Sequence, residues 1–191
     1  FRGFEVLDDG RRVRVQPGAT VGAVNARLAA HHTRLGPDPA SEVACTVGGV
    51  VSNNSSGMAA GTTQNTYRTM ESMVFVLPSG TRIDSAAPDA AKQLAQTEPL
   101  LVMGLLALRD RVRSNPESVA TIKDHFALKN TMGYGINAFL DFDEPLDILT
   151  HLIIGSEGTL AFVAETTFHT VPIHALVSTA LTVFPTLDAA T

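Results

Sequence analysis

The chain has 191 residues, 45% hydrophobic and 17% charged, with a formal net charge of −5. That is enough for one packed domain, or one and a fragment. No basic run or aromatic-basic stripe is present, so nucleic acid is not an expected partner. No apolar run approaches the roughly eighteen residues of a membrane span.

In chain order, Arg12–Gln16 alternates and runs into Pro17-Gly18, which predicts a strand and a turn. Thr20 can cap a helix carrying Val24, Leu28 and Ala29 on one face. Gly36–Ser41 holds two prolines and reads as an extended, rigid loop. Thr46–Gly61 is a glycine-rich loop with a short helical turn expected at Val47–Ser52. Met70–Leu77 reads as a buried strand, Pro78-Ser79-Gly80 as a hairpin turn and Thr81–Asp84 as the returning strand. Across Pro88–Asn115 runs a helical stripe of Leu94, Leu101, Leu105, Leu108 and Val112, broken at Pro99 and expected to be core; a shorter helix follows over Pro116–His125. Lys129–Gly135 is again polar and glycine-rich. Leu149–Ile154 leads into Gly155-Ser156-Glu157-Gly158, then Leu160–Ala164 and Thr166–Val171 alternate as strands. Leu176–Phe184 predicts one more strand, and Asp188-Ala189-Ala190 the start of a helix.

Cys45 is the only cysteine, so an intrachain disulfide or a four-thiolate cluster is impossible here. The neighbours His31 and His32 would point apart on a helix, and no metal site is expected. The chemistry lies in two small-residue segments. Gly48–Gly61 reads GGVVSNNSSGMAAG, and Gly155–Leu160 reads GSEGTL. Such backbones can come close to a ligand, and their hydroxyls and amides can hydrogen-bond it. The first segment is not a phosphate-binding Walker loop, because no Gly-Lys-Ser/Thr follows; its spacing also fails the dinucleotide fingerprint. No lysine or arginine lies between Val43 and Arg68, so an anion there would meet dipoles rather than ion pairs.

With their flanks, these segments carry a resemblance. Gly36-Pro37-Asp38-Pro39-Ala40-Ser41 and Ala44–Val47 precede the first; Asn65-Thr66-Tyr67-Arg68 and Met73–Gly80 follow it. Lys129–Tyr134 precedes GSEGTL. From about Val13 to Pro172 the chain resembles the FAD-linked oxidases of the vanillyl-alcohol oxidase/PCMH superfamily. The nearest branch is that of D-2-hydroxy-acid dehydrogenases (D-lactate, D-2-hydroxyglutarate, glycolate), including large bacterial members fused to an iron–sulfur part. The resemblance implies an α+β fold: a PCMH-type FAD-binding domain, mainly its second subdomain, with a mixed or antiparallel sheet flanked by helices. It implies a boundary near residue 174, with residues 175–191 opening a cap or substrate domain.

By the resemblance, Pro39, Ala40, Ser41, Cys45 and Thr46 match segments that line the flavin and pyrophosphate in the family, as do Asn53, Asn54, Ser55, Ser56 and Gly57. Gly48 and Gly49 match the pair that lets the backbone approach, and Glu157, Gly158, Phe162 and Val163 the segment closing on the adenosine side. Ala161-Phe162 departs from the family's Gly-Ile/Val after GSEGTL. Nothing in Phe1–Gly36 matches the family's earlier glycine-rich phosphate loop, which would precede Phe1, so the expectation is that the chain alone holds FAD weakly and turns nothing over. Blander readings stand beside these. Cys45 reads also as a packed thiol, Glu157 as a structural carboxylate, Asn130 and Tyr134 as loop-shaping residues, Lys129 as solvated, and Tyr67-Arg68 as a hinge contact. His169 and His174 read as ordinary surface or core histidines, and no catalytic base is assigned.

The implied activity is oxidation of a D-2-hydroxy acid, with hydride passing to flavin N5. Electrons would leave to an iron–sulfur part, a quinone or a cytochrome. The expected location is the cytoplasm or the face of the inner membrane. The alternatives are a non-catalytic flavin- or nucleotide-binding fragment, and a nucleotide-sugar flavin reductase of the same superfamily.

Overall fold

The computed structural model describes residues 1–176, 178 and 180–190. Six strands and eight helices appear in the order β1 (Phe4–Leu7), β2 (Arg12–Val15), α1 (Val21–Leu28), β3 (Thr33–Leu35), α2 (Val47–Asn53), α3 (Thr66–Thr69), β4 (Met70–Val76), β5 (Arg82–Asp84), α4 (Ala90–Thr97), α5 (Pro99–Arg113), α6 (Pro116–Ala127), α7 (Ala138–Asp141), α8 (Pro145–Ile153) and β6 (Phe162–Pro172) among the described residues. All strand pairs are antiparallel in the order β1-β2-β6-β4-β5, with β3 continuing along the far end of β6. This is an α+β fold with helices flanking an antiparallel sheet, as expected from the motifs.

The longest strand, β6, sits at the centre. Thr166–Phe168 pairs with β2 on one side and β4 on the other. Phe75 on β4 and Phe168 on β6 are fully buried, against a core that includes Val13, Val24, Leu28, Ile83 and Ile148. The two strands expected at Leu160–Ala164 and Thr166–Val171 are one strand beginning at Phe162. The reason is a bulge: Phe75 pairs with Val163 and Val74 with Glu165, leaving Ala164 as the extra residue. A bulge interrupts the in–out alternation that a sequence pattern reads as a strand end.

Helix starts follow local chemistry. Thr20 and Thr46 each accept the N–H three residues on, and Asn65 and Asn115 do the same for α3 and α6. Pro99 opens α5 at the first-turn position where it is tolerated. The apolar stripe is only partly core. Leu94 and Leu105 are buried and Leu101 and Val112 pack against the core, but Leu108 is 44% exposed. The strand expected at Leu176–Phe184 falls partly on residues 177 and 179, outside the described ones. Its described residues are not in a strand, and Leu176, Leu181 and Val183 are exposed.

Candidate functional site

The two small-residue segments meet. Helix α2 ends at Asn54 in the left-handed conformation, φ 50°, and the loop after α8 lies against that turn. Gly155 N–H donates to Val51 O at 3.0 Å, Glu157 N–H to Ser52 O at 2.8 Å, and Asn53 Nδ2 to Glu157 Oε1 at 2.8 Å. Positive φ at Gly155, Glu157 and Gly158 makes the loop tight enough to do this. Glu157 thus acts as a structural carboxylate, but toward a side-chain amide rather than backbone N–H groups.

Beside this junction lies an open groove of about 510 Å³. Thr46, Gly48, Gly49 and Ser52 form one wall and Gly158, Phe162 and Val163 the other. The glycine pair divides its work. A Cβ on Gly48 would stand 2.6 Å from Pro17 Cβ, so this position is small because α2 packs on the β2–α1 turn. A Cβ on Gly49 would meet only Thr46 Oγ1, at 3.5 Å, so its smallness serves the groove. The first N–H groups of α2 are already taken: Val47 donates to Ala19 O, Gly48 to Pro17 O and Gly49 to Thr46 Oγ1. Free backbone donors lie on the opposite wall instead. Among the described residues, the N–H groups of Gly158 and Ala161 donate to nothing. Phe162, 55% exposed, offers a ring at the rim.

Of the other candidate residues, Pro39, Ala40, Ser41 and Cys45 form the turns that lead into α2, closed by Glu42 and Cys45 N–H groups on Pro39 O and Ser41 O. They do not line this groove. Cys45 packs against the core, in line with the packed-thiol reading. Ser55 donates its hydroxyl to Asn53 Oδ1, and Ser56 is buried with Oγ unpaired. Gly57 has φ 90°, and a Cβ there would fall 2.0 Å from Asp38 O. Asp38 was not singled out from sequence, yet it organises this loop: its carboxylate accepts the Ala59 and Ala60 N–H groups, each at 3.0 Å. Lys129 is exposed, as expected, and also donates to Gly57 O at 2.9 Å; Tyr134 bonds Thr159 at 2.8 Å. His169 is mostly exposed, 3.8 Å from Glu71, and His174 is exposed.

A second cavity of about 570 Å³ opens beyond the C-terminal end of α2, between α3 and the end of α6. Its wall rests on a polar cluster. Asp141 Oδ2 accepts from the Tyr67 hydroxyl at 2.9 Å and from Asn137 Nδ2 at 3.0 Å. Burial, and then the Asp141 charge, push the Tyr67 phenol far up, so it stays a donor. His151 stacks on Phe142 with ring centres 4.0 Å apart, and burial lowers its pKa despite a bond to Asp147 O. The sequence signal for this cluster was the pair Asn137 and Asp141, one helical turn apart.

The model of the FAD-binding domain family matches residues 1–86. Those residues are similar to an FAD-binding domain. The match includes α2 and both glycines of the first groove wall. The Escherichia coli K12 glycolate oxidase subunit GlcD is 44% identical over 57 residues, 28% of this chain and 11% of that protein. The Haemophilus influenzae D-2-hydroxyglutarate dehydrogenase is 28% identical over 159 residues, 81% of this chain and 16% of that protein. A solved alkyldihydroxyacetonephosphate synthase is 17% identical at a TM-score of 0.47, covering 90% of this chain and 22% of that one. The matched stretches therefore span only about a tenth to a sixth of the curated relatives. The groove suits the cofactor of that family: it is lined by glycines 48, 49 and 158, and among the described residues the N–H groups of Gly158 and Ala161 donate to nothing.

Proposed function

We propose that the protein containing this domain is an FAD-dependent dehydrogenase of small D-2-hydroxy acids, such as D-lactate, glycolate or D-2-hydroxyglutarate. The observation that carries the reading is the junction of the two segments: Gly155 and Glu157 N–H groups donate to Val51 O and Ser52 O, and Asn53 Nδ2 donates to Glu157, closing one groove from residues a hundred positions apart. The names of the relatives support the substrate class.

Gly48, Gly49 and Ser52 would hold the cofactor on one side, with Gly158, Ala161 and Phe162 on the other. The Gly158 and Ala161 N–H groups are charge-free donors suited to phosphate or ribose oxygens. Thr46 and Ser52 add hydroxyls, and Phe162 a face for stacking. When bound, the flavin supplies the acceptor for the hydride of the acid's α-carbon. The residues described here bind and orient; electrons then pass to an iron–sulfur part, a quinone or a cytochrome. No helix among the described residues is long and apolar enough to cross a membrane.

The test is an anaerobic titration of the purified flavoprotein with D- and L-lactate, glycolate and D-2-hydroxyglutarate, followed by flavin absorbance. Bleaching by at least one D-2-hydroxy acid or glycolate is expected. A flavin that stays oxidised with every member of the panel sinks the reading.

A further inference from the structure

We infer that the cavity between α3 and the end of α6 docks the carboxylate of a small organic acid, with the Arg68 guanidinium as its anchor. The anion site stands on the geometry below; the choice of a hydroxy acid as its natural occupant rests on the preceding subsection.

Arg68 lines the cavity with its charge available. Its side chain is about half exposed, and its nearest carboxylate oxygen, Asp141 Oδ2, is 3.8 Å away, beyond hydrogen-bond reach. That oxygen is already served by Tyr67 and Asn137. The guanidinium sits over the Tyr67 ring, 5.4 Å from its centre, and that ring is pinned by its own bond to Asp141. Among the described residues the guanidinium donates no hydrogen bond, so its planar fork stays open for a carboxylate.

The rest of the lining agrees. No aspartate or glutamate lines the cavity itself, and Arg68 is its one lining cation; Asp141, 3.8 Å behind it, offsets part of that charge. Asn54 also lines it and is only 8% exposed. Its Oδ1 accepts the Tyr67 N–H at 3.2 Å, which leaves Nδ2 as a donor with no partner among the described residues. Asn130 is arranged the same way, its Oδ1 accepting Met132 N–H. Neither amide nitrogen is among the buried atoms left unpaired, so both stay reachable, and an anionic or carbonyl oxygen in the cavity would bond them directly. Asn137, on the same wall, has a buried Oδ1 without a partner. Phe126 and Leu128 supply an apolar side for a short carbon chain.

The test is calorimetric titration of the flavin-loaded protein with glycolate, D-lactate, propionate and inorganic phosphate, in wild type and in Arg68→Met. Arg68→Met is expected to weaken every carboxylate at least about tenfold, corresponding to loss of one charge-assisted pair. Asn130→Ala should weaken them several-fold. Arg68→Lys keeps the charge without the fork and should fall between wild type and Met; it also serves if the Met variant folds poorly. Unchanged carboxylate affinity in Arg68→Met or Arg68→Lys overturns the assignment, as does phosphate binding with equal affinity and equal Arg68 dependence. Acids that bind through Arg68 yet never bleach the flavin would leave this site standing and sink the proposed dehydrogenase. Bleaching with unchanged affinity in the variants would do the reverse.

Discussion

The adjacent glycines 48 and 49 have different reasons to lack a side chain. Gly48→Ala puts a methyl 2.6 Å from Pro17 Cβ and 3.1 Å from Pro17 O. Overpacking of this kind costs about 2 kcal/mol, and a lowered midpoint in chemical denaturation is the expected result. Gly49 meets nothing closer than 3.5 Å, so Gly49→Val should leave the fold intact. In the groove its branched side chain would occupy the space of the cofactor, and FAD should bind at least about tenfold more weakly. Flavin content after purification, read beside the denaturation midpoint, separates the two. A Gly49→Val protein with full flavin content would remove this residue from the site. Arg68 teaches a related lesson: its importance lies in what does not touch it, and a sequence shows an arginine without showing whether its donors are used.

Helix α2 and the loop after α8 act as one clamp. The Asn53–Glu157 bond joins them in an exposed position, so its share is modest. A double-mutant cycle with Asn53→Ala and Glu157→Ala should give a coupling of about 1 kcal/mol. Additive effects of the two changes would mean that the backbone bonds from Gly155 and Glu157 hold the junction without them. Helix α8 carries a pH dependence. An unfolded histidine titrates near pH 6.5, and burial lowers the folded-state value of His151. Below about pH 6.5 the unfolded chain therefore binds more protons than the folded one, until the folded-state pKa is passed. Stability should fall as pH drops through that window. His151→Phe keeps a ring against Phe142 and removes the titration. Thermal midpoints between about pH 7 and pH 5 should decline less steeply in the variant than in wild type; parallel curves would show that His151 is not the cause.

At the scale of the whole molecule, the sheet is the frame that brings distant segments together. Phe168, fully buried on β6, sits where β2 and β4 both pair with that strand. Phe168→Ala should cost about 4 kcal/mol, a large part of the stability of a domain this size. Urea denaturation measures it, and a loss under about 1 kcal/mol would mean the site collapses around the gap.

Much of this molecule was legible from local chemistry alone. Thr20 and Thr46 mark helix starts because a capping hydroxyl needs only residues three positions away. Pro99 divides α4 from α5, and Pro78-Ser79-Gly80 turns β4 into β5, for equally local reasons. GGVVSNNSSG and GSEGTL announced accessible backbone, because small residues leave it uncovered. Other features depend on partners that a sequence does not place. Whether Leu108 is core depends on what lies opposite α5. The bulge at Ala164 is set by its pairing with β4. Residues 51–53 and 155–157 meet, and Gly158 and Ala161 face the groove with free donors, only because β6 and α8 pack where they do. The open fork of Arg68 likewise follows from Asp141 already being served by Asn137, one helical turn away, and by Tyr67, 74 positions away. Capping, turns and backbone access are short-range and so written in the sequence; which donors remain unspent is settled by long-range packing.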